Sequence, residues 1–306
     1  MIKKSQKIFV VILLLAIFTV SYTNVFTSLT REKVVFNNHS IKKIEVDRDI
    51  TIEKYFSFLD SIVLQYDSLT PYTLTEHLLV RANPWIIDTL RNTDYYIQKV
   101  KGSFIYDQKK MIVLTKGVNL ILPNSVLAKK IITSFRKTRI DINIPEFKLR
   151  IIEDTTELFK FSVRVGRDEK KYLEMSGRVQ DLKTKIGKGA IVSYDRYPKY
   201  FNPVNNHQYF VTKRDDDSIT KLPQIPFIET EINGSRDGQL IHPTTNPITL
   251  GKVYSHGCIG TKEGDAWVIY YYAPLDTKIN IRYDLNIKDM NGENVVLRDI
   301  YGYNKK

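Results

Sequence analysis

The chain has 306 residues, 42% hydrophobic and 26% charged, a globular composition with room for one large domain or two small ones. Its 46 Lys and Arg exceed its 34 Asp and Glu, giving a formal charge of +12, yet both signs are spread along the whole length. No arginine-rich run, RNA-binding motif or zinc-finger spacing accompanies that charge, which argues against nucleic acid as a partner.

Lys3, Lys4 and Lys7 precede an uncharged apolar run from Ile8 to Val20, the pattern of a secretory signal. Counting Val25 and Phe26 brings the apolar character to about 19 residues, roughly a membrane span. The following "SYTNVFTS" offers no small-x-small cleavage site. Residues 1–26 therefore read as a signal peptide or, preferably, an uncleaved signal anchor with the lysines inside. The body is then exported, to the periplasm or the outer face of the cytoplasmic membrane, with the membrane a partner through this segment. Residues 27–50 are polar and irregular and read as a stalk.

Within "ITIEKYFSFLDSIVLQY" the apolar positions Ile52, Tyr55, Phe56, Leu59, Ile62, Val63 and Tyr66 fall near helical spacing. "NPWIIDTL" announces another helix, with Asn83 as its cap and Pro84 at the first position. "KMIVLTK" and "VNLILP" read as strands, and Asn124 as the cap of a helix through "SVLAKKIITSF". Together residues 51–135 form a small α+β module. From Asp141 the texture is β: "FKLRIIED" and "ELFKFSVRVG" flank a turn near Asp154 and predict a hairpin. The polar section from Tyr194 to Leu222 exceeds normal loop length and reads as an insertion or lid. The domain boundary is expected between residues 125 and 140. A mainly β catalytic domain then covers 140–285, and 286–306 is a C-terminal extension.

The only cysteine, Cys258, stands in "YSHGCIGT", two places after His256, one of five histidines. In an exported protein a cysteine without a partner is either inert and buried or kept for its reactivity. A reactive thiol needs an imidazole to take its proton. His256 qualifies if the segment is extended, because positions i and i+2 share a face. His242, sixteen residues upstream in "LIHPTTNPITLGK", qualifies if two short strands joined near Asn246 and Pro247 bring it back beside Cys258. Gly257 permits close approach and lets the Gly257 and Cys258 amides converge on an oxyanion. Ser255 can orient an imidazole by a hydrogen bond. A zinc site on His242, His256 and Cys258 is disfavoured because their spacing is unlike the usual ligand pairs. No metal and no cofactor is expected.

The stretch "IHPTTNPITLGKVYSHGCIG" resembles the signature of the L,D-transpeptidases (YkuD-type catalytic domain): a histidine, an Asn-Pro turn, Gly-Lys, then Ser-His-Gly-Cys. "FSVRVG" and "IPFIETEING" resemble flanking strands of that family, and Asp265 falls at its usual acidic position. The resemblance covers roughly Asp141 to Tyr283 and implies a β-sandwich or barrel with short helices. It implies Cys258 as nucleophile on a peptidoglycan stem peptide, between an L-centre of diaminopimelate and a terminal D-Ala. His242 would be the base, its ring held by the carbonyl of Pro243, with His256 shaping the site. The acyl-enzyme would pass to an amine of a neighbouring stem, giving a 3-3 cross-link. Water or a free D-amino acid as acceptor would make it an L,D-carboxypeptidase or an exchange enzyme. A non-catalytic peptidoglycan-binding protein on the same fold is the alternative of another class. A covalent β-lactam adduct, with a carbapenem, is a further expectation. The signature departs from the family at Pro243, where glycine is usual, and at Gly260, where arginine is usual. Arg164, Arg167 or Arg236 could supply that charge from elsewhere. "HLLVRANPWIIDTL" and "KGVNLILPNS" resemble, at a longer spacing, a degenerate LysM glycan-binding module.

Overall fold

The apolar spacing between Ile52 and Tyr66 builds a helix (α1, Ile52–Tyr66) that buries Ile52, Tyr55, Phe56, Leu59 and Ile62 along one face. The computed structural model describes residues 42–289 and 291–303, so the proposed signal segment and the start of the stalk lie outside the described residues. The end of that stalk is strand. Lys42–Glu45 (β1) pairs antiparallel with Asn119–Leu122 (β4), and Ile50–Thr51 (β2) with Ile112–Leu114 (β3). Val46 between them is fully buried, so a polar average over 27–50 hid a short apolar anchor at its end.

Three short helices follow α1: Glu76–Arg81 (α2), Trp85–Arg91 (α3) and Tyr95–Val100 (α4). The expected cap at Asn83 is replaced by another role. Pro84 precedes α3, while the buried Asn83 amide donates to the Leu79 and Ile121 carbonyls and accepts from the Ile121 N–H. It ties α2 to β4. Asn124 does cap the next helix (α5, Ser125–Lys137), accepting from Leu127 N at 2.9 Å.

α5 runs without a linker into Thr138–Asn143 (β5), followed by the expected hairpin of Lys148–Glu153 (β6) and Thr156–Ser162 (β7). Asp154 turns it with φ 52°. Val165–Gly166 (β8), Lys170–Leu173 (β9) and Arg178–Asp181 (β10) lead to the long Gly187–Asp195 (β11). The 194–222 section is structured rather than open: Tyr200–Phe201 (β12) pairs with Gln208–Tyr209 (β13), and Val211–Lys213 (β14) with Ile219–Lys221 (β15). Then come Phe227–Ile232 (β16), Leu240–Pro243 (β17), Val253–Ser255 (β18), Ile259–Thr261 (β19), the helix Glu263–Tyr272 (α6) and Lys278–Arg282 (β20). Asn286–Lys288 (β21) and Asn294–Val296 (β22) form a terminal hairpin.

Eight strands make one sheet in the order β19-β17-β16-β11-β20-β5-β6-β7. Its pairs are antiparallel except β17 with β19 and β20 with β5. The chain leaving β7 reaches the other edge, where Arg164 and Gly260 exchange backbone hydrogen bonds of 2.9 and 3.0 Å. The sheet is thereby nearly closed. Alternating residues fill its inside, including Ile140, Ile142, Leu149, Ile151, Ile228, Ile241, Ile259, Ile279 and Ile281.

The boundary expected at 125–140 does not divide the described residues, which all fall in one compact unit. The reason is α6. Nine of its ten residues are buried, so it needs cover all round, and α2 and α3 supply one side. His77 Nε2 donates to the Tyr270 carbonyl, and the Tyr271 hydroxyl donates to Glu76. Among the described residues no helix is long and apolar enough to cross a membrane.

Candidate active site

Cys258 directly precedes β19, which lies parallel to β17 with Ile241 opposite Ile259 and His242 opposite Gly260. This pairing brings back together two segments sixteen residues apart. The half-buried thiol lies 3.9 Å from the Gly238 carbonyl and against the backbone of Leu240, two residues before His242. Burial pushes the thiol above its ordinary value, while the Leu240 backbone contact and the Arg164 charge pull it down. His242 is partly buried, and its ring is 5.0 Å from that of Phe227, which in turn meets Tyr200.

His242 Nδ1 lies 2.9 Å from the Pro243 carbonyl. A carbonyl only accepts, so that bond places the proton on Nδ1 and the lone pair on Nε2. Burial, and then Arg164, lower the imidazole to about 4, against the Pro243 bond, which raises it. Near neutrality the two groups therefore rest as a neutral imidazole on β17 and a protonated thiol at the head of β19. The arrangement suits general-base removal of the thiol proton during attack rather than a standing ion pair.

The extended reading that paired His256 with Cys258 fails between them. β18 ends at Ser255, and Gly257 has φ 110°, a conformation that L side chains rarely adopt. His256 Nε2 is buried with no partner among the described residues, and burial lowers this ring too, ahead of Arg167 and Lys171. Ser255 orients the backbone instead of an imidazole: its Oγ donates to the Cys258 carbonyl at 2.5 Å and accepts the Gly257 N–H at 3.3 Å. The Gly257 amide is thus used, and of the two expected oxyanion donors the Cys258 N–H remains without a protein acceptor among the described residues.

Of the candidate cations, Arg164 is at the site. A Cβ on Gly260 would lie 2.5 Å from Arg164 Nε and 2.7 Å from its Cγ, so the Arg164 side chain fills the space a side chain at 260 would need. Its Nη1 donates to Thr249 Oγ1 at 3.2 Å, its Nε is buried without a partner among the described residues, and its charge acts on both Cys258 and His242. Arg236 is held by Glu229 at 2.6 Å, and Arg167 by the Tyr254 carbonyl at 2.9 Å. Asp265 lies in the first turn of α6, 3.6 Å from Arg91. Among the described residues no group of His, Cys, Asp and Glu could hold a metal ion.

The 194–222 section grips the loop that follows His242. The Asp215 carboxylate accepts from Asn246 Nδ2 at 3.0 Å and Ile248 N at 2.8 Å, and Thr212 and Thr245 share a 2.9 Å hydrogen bond. These contacts, and those of Gly238, Leu240 and Thr249, had no motif to reveal them. They arise from chain crossings of 18 to 85 residues.

With this geometry in place, residues 137–281 match the profile of the L,D-transpeptidase catalytic domain, YkuD. The match covers just under half of the chain. No curated protein matches the chain significantly. Solved structures similar to it include an L,D-transpeptidase from Xylanimonas cellulosilytica, 13% identical, covering 78% of this chain and 97% of that one, TM-score 0.33. An L,D-transpeptidase from Mycobacterium smegmatis is 15% identical over 48% of this chain and 58% of that one, TM-score 0.32. L,D-transpeptidase 3 from Mycobacterium tuberculosis, solved with a faropenem-derived adduct, is 17% identical over 48% and 60%, TM-score 0.31. The chain thus spans under two thirds of the mycobacterial structures.

Proposed function

We propose that the protein is a peptidoglycan L,D-transpeptidase with Cys258 as nucleophile. The observation that carries this reading is the pairing of β17 with β19, which sets the thiol at the head of one strand and, on its neighbour, a neutral imidazole whose Nδ1 proton is fixed on the Pro243 carbonyl. In the attack, the Cys258 proton passes to His242 Nε2 as sulfur bonds to the stem-peptide carbonyl carbon. The carbonyl oxygen becomes an anion facing the Cys258 N–H. Collapse expels the terminal D-Ala amine, which takes the proton back from His242. An amine of a second stem then attacks the thioester, forming the 3-3 cross-link and releasing the thiol. Arg164, buried beside both groups, offers its charge to the substrate carboxylate in place of the arginine absent at 260. The apolar run at Ile8–Val20 would hold the enzyme at the outer face of the cytoplasmic membrane, and fractionation of cells expressing the full chain tests that placement.

The full chain incubated with disaccharide tetrapeptides should yield dimers by mass spectrometry, and Cys258→Ala should yield none. Identical products from both would sink the reading. Tripeptide as the main product, even with excess amine acceptor, would instead assign carboxypeptidase activity.

A further inference from the structure

The Cys258 N–H can serve an oxyanion only if the Gly257–Cys258 peptide plane is held in one orientation. In a planar trans peptide the carbonyl and the following N–H point in opposite directions. Whatever grips the Gly257 carbonyl therefore aims the Cys258 N–H. That grip is the hydroxyl of Thr184, which donates to Gly257 O at 2.9 Å. Gly257 itself, with its positive φ, is otherwise free to rotate this plane.

Thr184 is fully buried and fixed at three points. Its Oγ1 accepts from Gly166 N at 2.8 Å, which leaves its proton for Gly257 O. Its N–H donates to the hydroxyl of Tyr301 at 3.2 Å, and that hydroxyl donates to Gly166 O at 2.7 Å. The strands cross closely here. A Cβ at Gly166 would lie 1.9 Å from Leu182 O and 2.6 Å from Thr184 N. Tyr301 is buried, stacked on Tyr283, and its own N–H donates to the Tyr283 hydroxyl at 2.7 Å. It lies twenty residues beyond the family-matched segment, in the C-terminal extension.

We infer that Thr184 and Tyr301 are positioning residues for the oxyanion donor, and that the C-terminal extension completes the active site from outside the catalytic domain. The inference rests on the acyl-transfer reading given above. Thr184 sets the peptide plane directly, and Tyr301 sets Thr184 by closing the ring Tyr301–Gly166–Thr184, from which the Thr184 hydroxyl reaches Gly257.

Two probes of the same thiol separate positioning from packing. A carbapenem acylates through a tetrahedral oxyanion, whereas iodoacetamide reacts by displacement at a saturated carbon and forms none. In the full chain, Thr184→Val should slow acylation about tenfold to a hundredfold, the range below outright loss of an oxyanion donor. Its alkylation should stay within about twofold of wild type, since the thiol and His242 are unchanged. Thr184→Ser, which keeps the hydroxyl, should recover most of the acylation rate. Tyr301→Phe keeps the stacked ring but loses both hydroxyl hydrogen bonds, and because it acts on the donor only through Thr184 it should slow acylation about three- to tenfold. If Thr184→Val fails to fold, Tyr301→Phe decides. Acylation unchanged in the variants, or both probes slowed in parallel, overturns the inference. Wild type that alkylates but never acylates overturns the acyl-transfer reading itself, and this inference with it.

Discussion

Arg214 is the residue whose removal should be felt most widely. It sits in the turn between β14 and β15 with its side chain fully buried, ion-paired to the equally buried Glu263 at the start of α6. Its Nε donates to Thr220 Oγ1 at 2.8 Å and its Nη2 to Gln108 Oε1 at 3.0 Å, and the guanidinium lies 4.5 Å from the Tyr95 ring centre. Arg214→Met fills a similar volume but leaves the Glu263 carboxylate, among the described residues, with only Tyr95 N and Gln108 Nε2 as donors. Breaking one side of such a pair costs about 3–5 kcal/mol. The two surviving donors place the expectation at the lower end, about 3 kcal/mol, a fall of about 1 M or more in the urea midpoint. Burial already pushes the Glu263 carboxyl upward against the opposing pull of Arg214, and the variant raises it further. A group whose folded pKa exceeds its unfolded value loses stability as pH rises through the folded value. The deficit should therefore be larger at pH 8 than at pH 5. Urea unfolding followed by fluorescence at both pH values measures this, with Arg214→Met/Glu263→Gln as the companion that removes the stranded charge. An unchanged midpoint in Arg214→Met, or a double variant no more stable than the single, would refute the reasoning.

Because burial raises the Cys258 thiol and holds His242 near 4, alkylation by iodoacetamide should climb with pH from 6 to beyond 8. A rate that stays flat down to pH 5 would reveal a standing thiolate–imidazolium pair. Gly260→Arg drives a side chain into the space of Arg164 and should cost about 1–3 kcal/mol in thermal unfolding. Adding Arg164→Ala should return part of that loss, and strict additivity would deny the shared space. His77, buried on the Tyr270 carbonyl, is lowered from 6.5 to about 4. The unfolded chain binds the proton first, so stability falls as pH drops from 6.5 to 4, by about 3 kcal/mol from this residue. His77→Gln should flatten that part of the pH–stability curve, and an equally steep curve would assign the acid sensitivity elsewhere.

Local chemistry made several features legible in the sequence: α1 from its apolar spacing, the cap at Asn124 and the β6–β7 hairpin. Each depends on residues within a turn or a motif of one another. Asn83 and the 42–50 segment were misread because their partners lie 38 and about 70 residues away, in β3 and β4. The division into two units was misread for a similar reason. Composition changes at 125–140, but a change of texture says nothing about a helix 130 residues later that needs cover on every face.

The sequence by itself determined which groups the proposed chemistry rests on, since thiol, imidazole, Pro243 carbonyl and the glycines are fixed by covalent order and residue type. Only the tertiary structure decided how they are held. The closure of the sheet puts Arg164 into the space left by Gly260, and the C-terminal chain returns Tyr301 to Thr184 behind Gly257. Both are contacts between segments remote in the chain, the first where the nearly closed sheet brings its edges together and the second where the C-terminal chain packs back, and no local pattern of residues encodes where either meets.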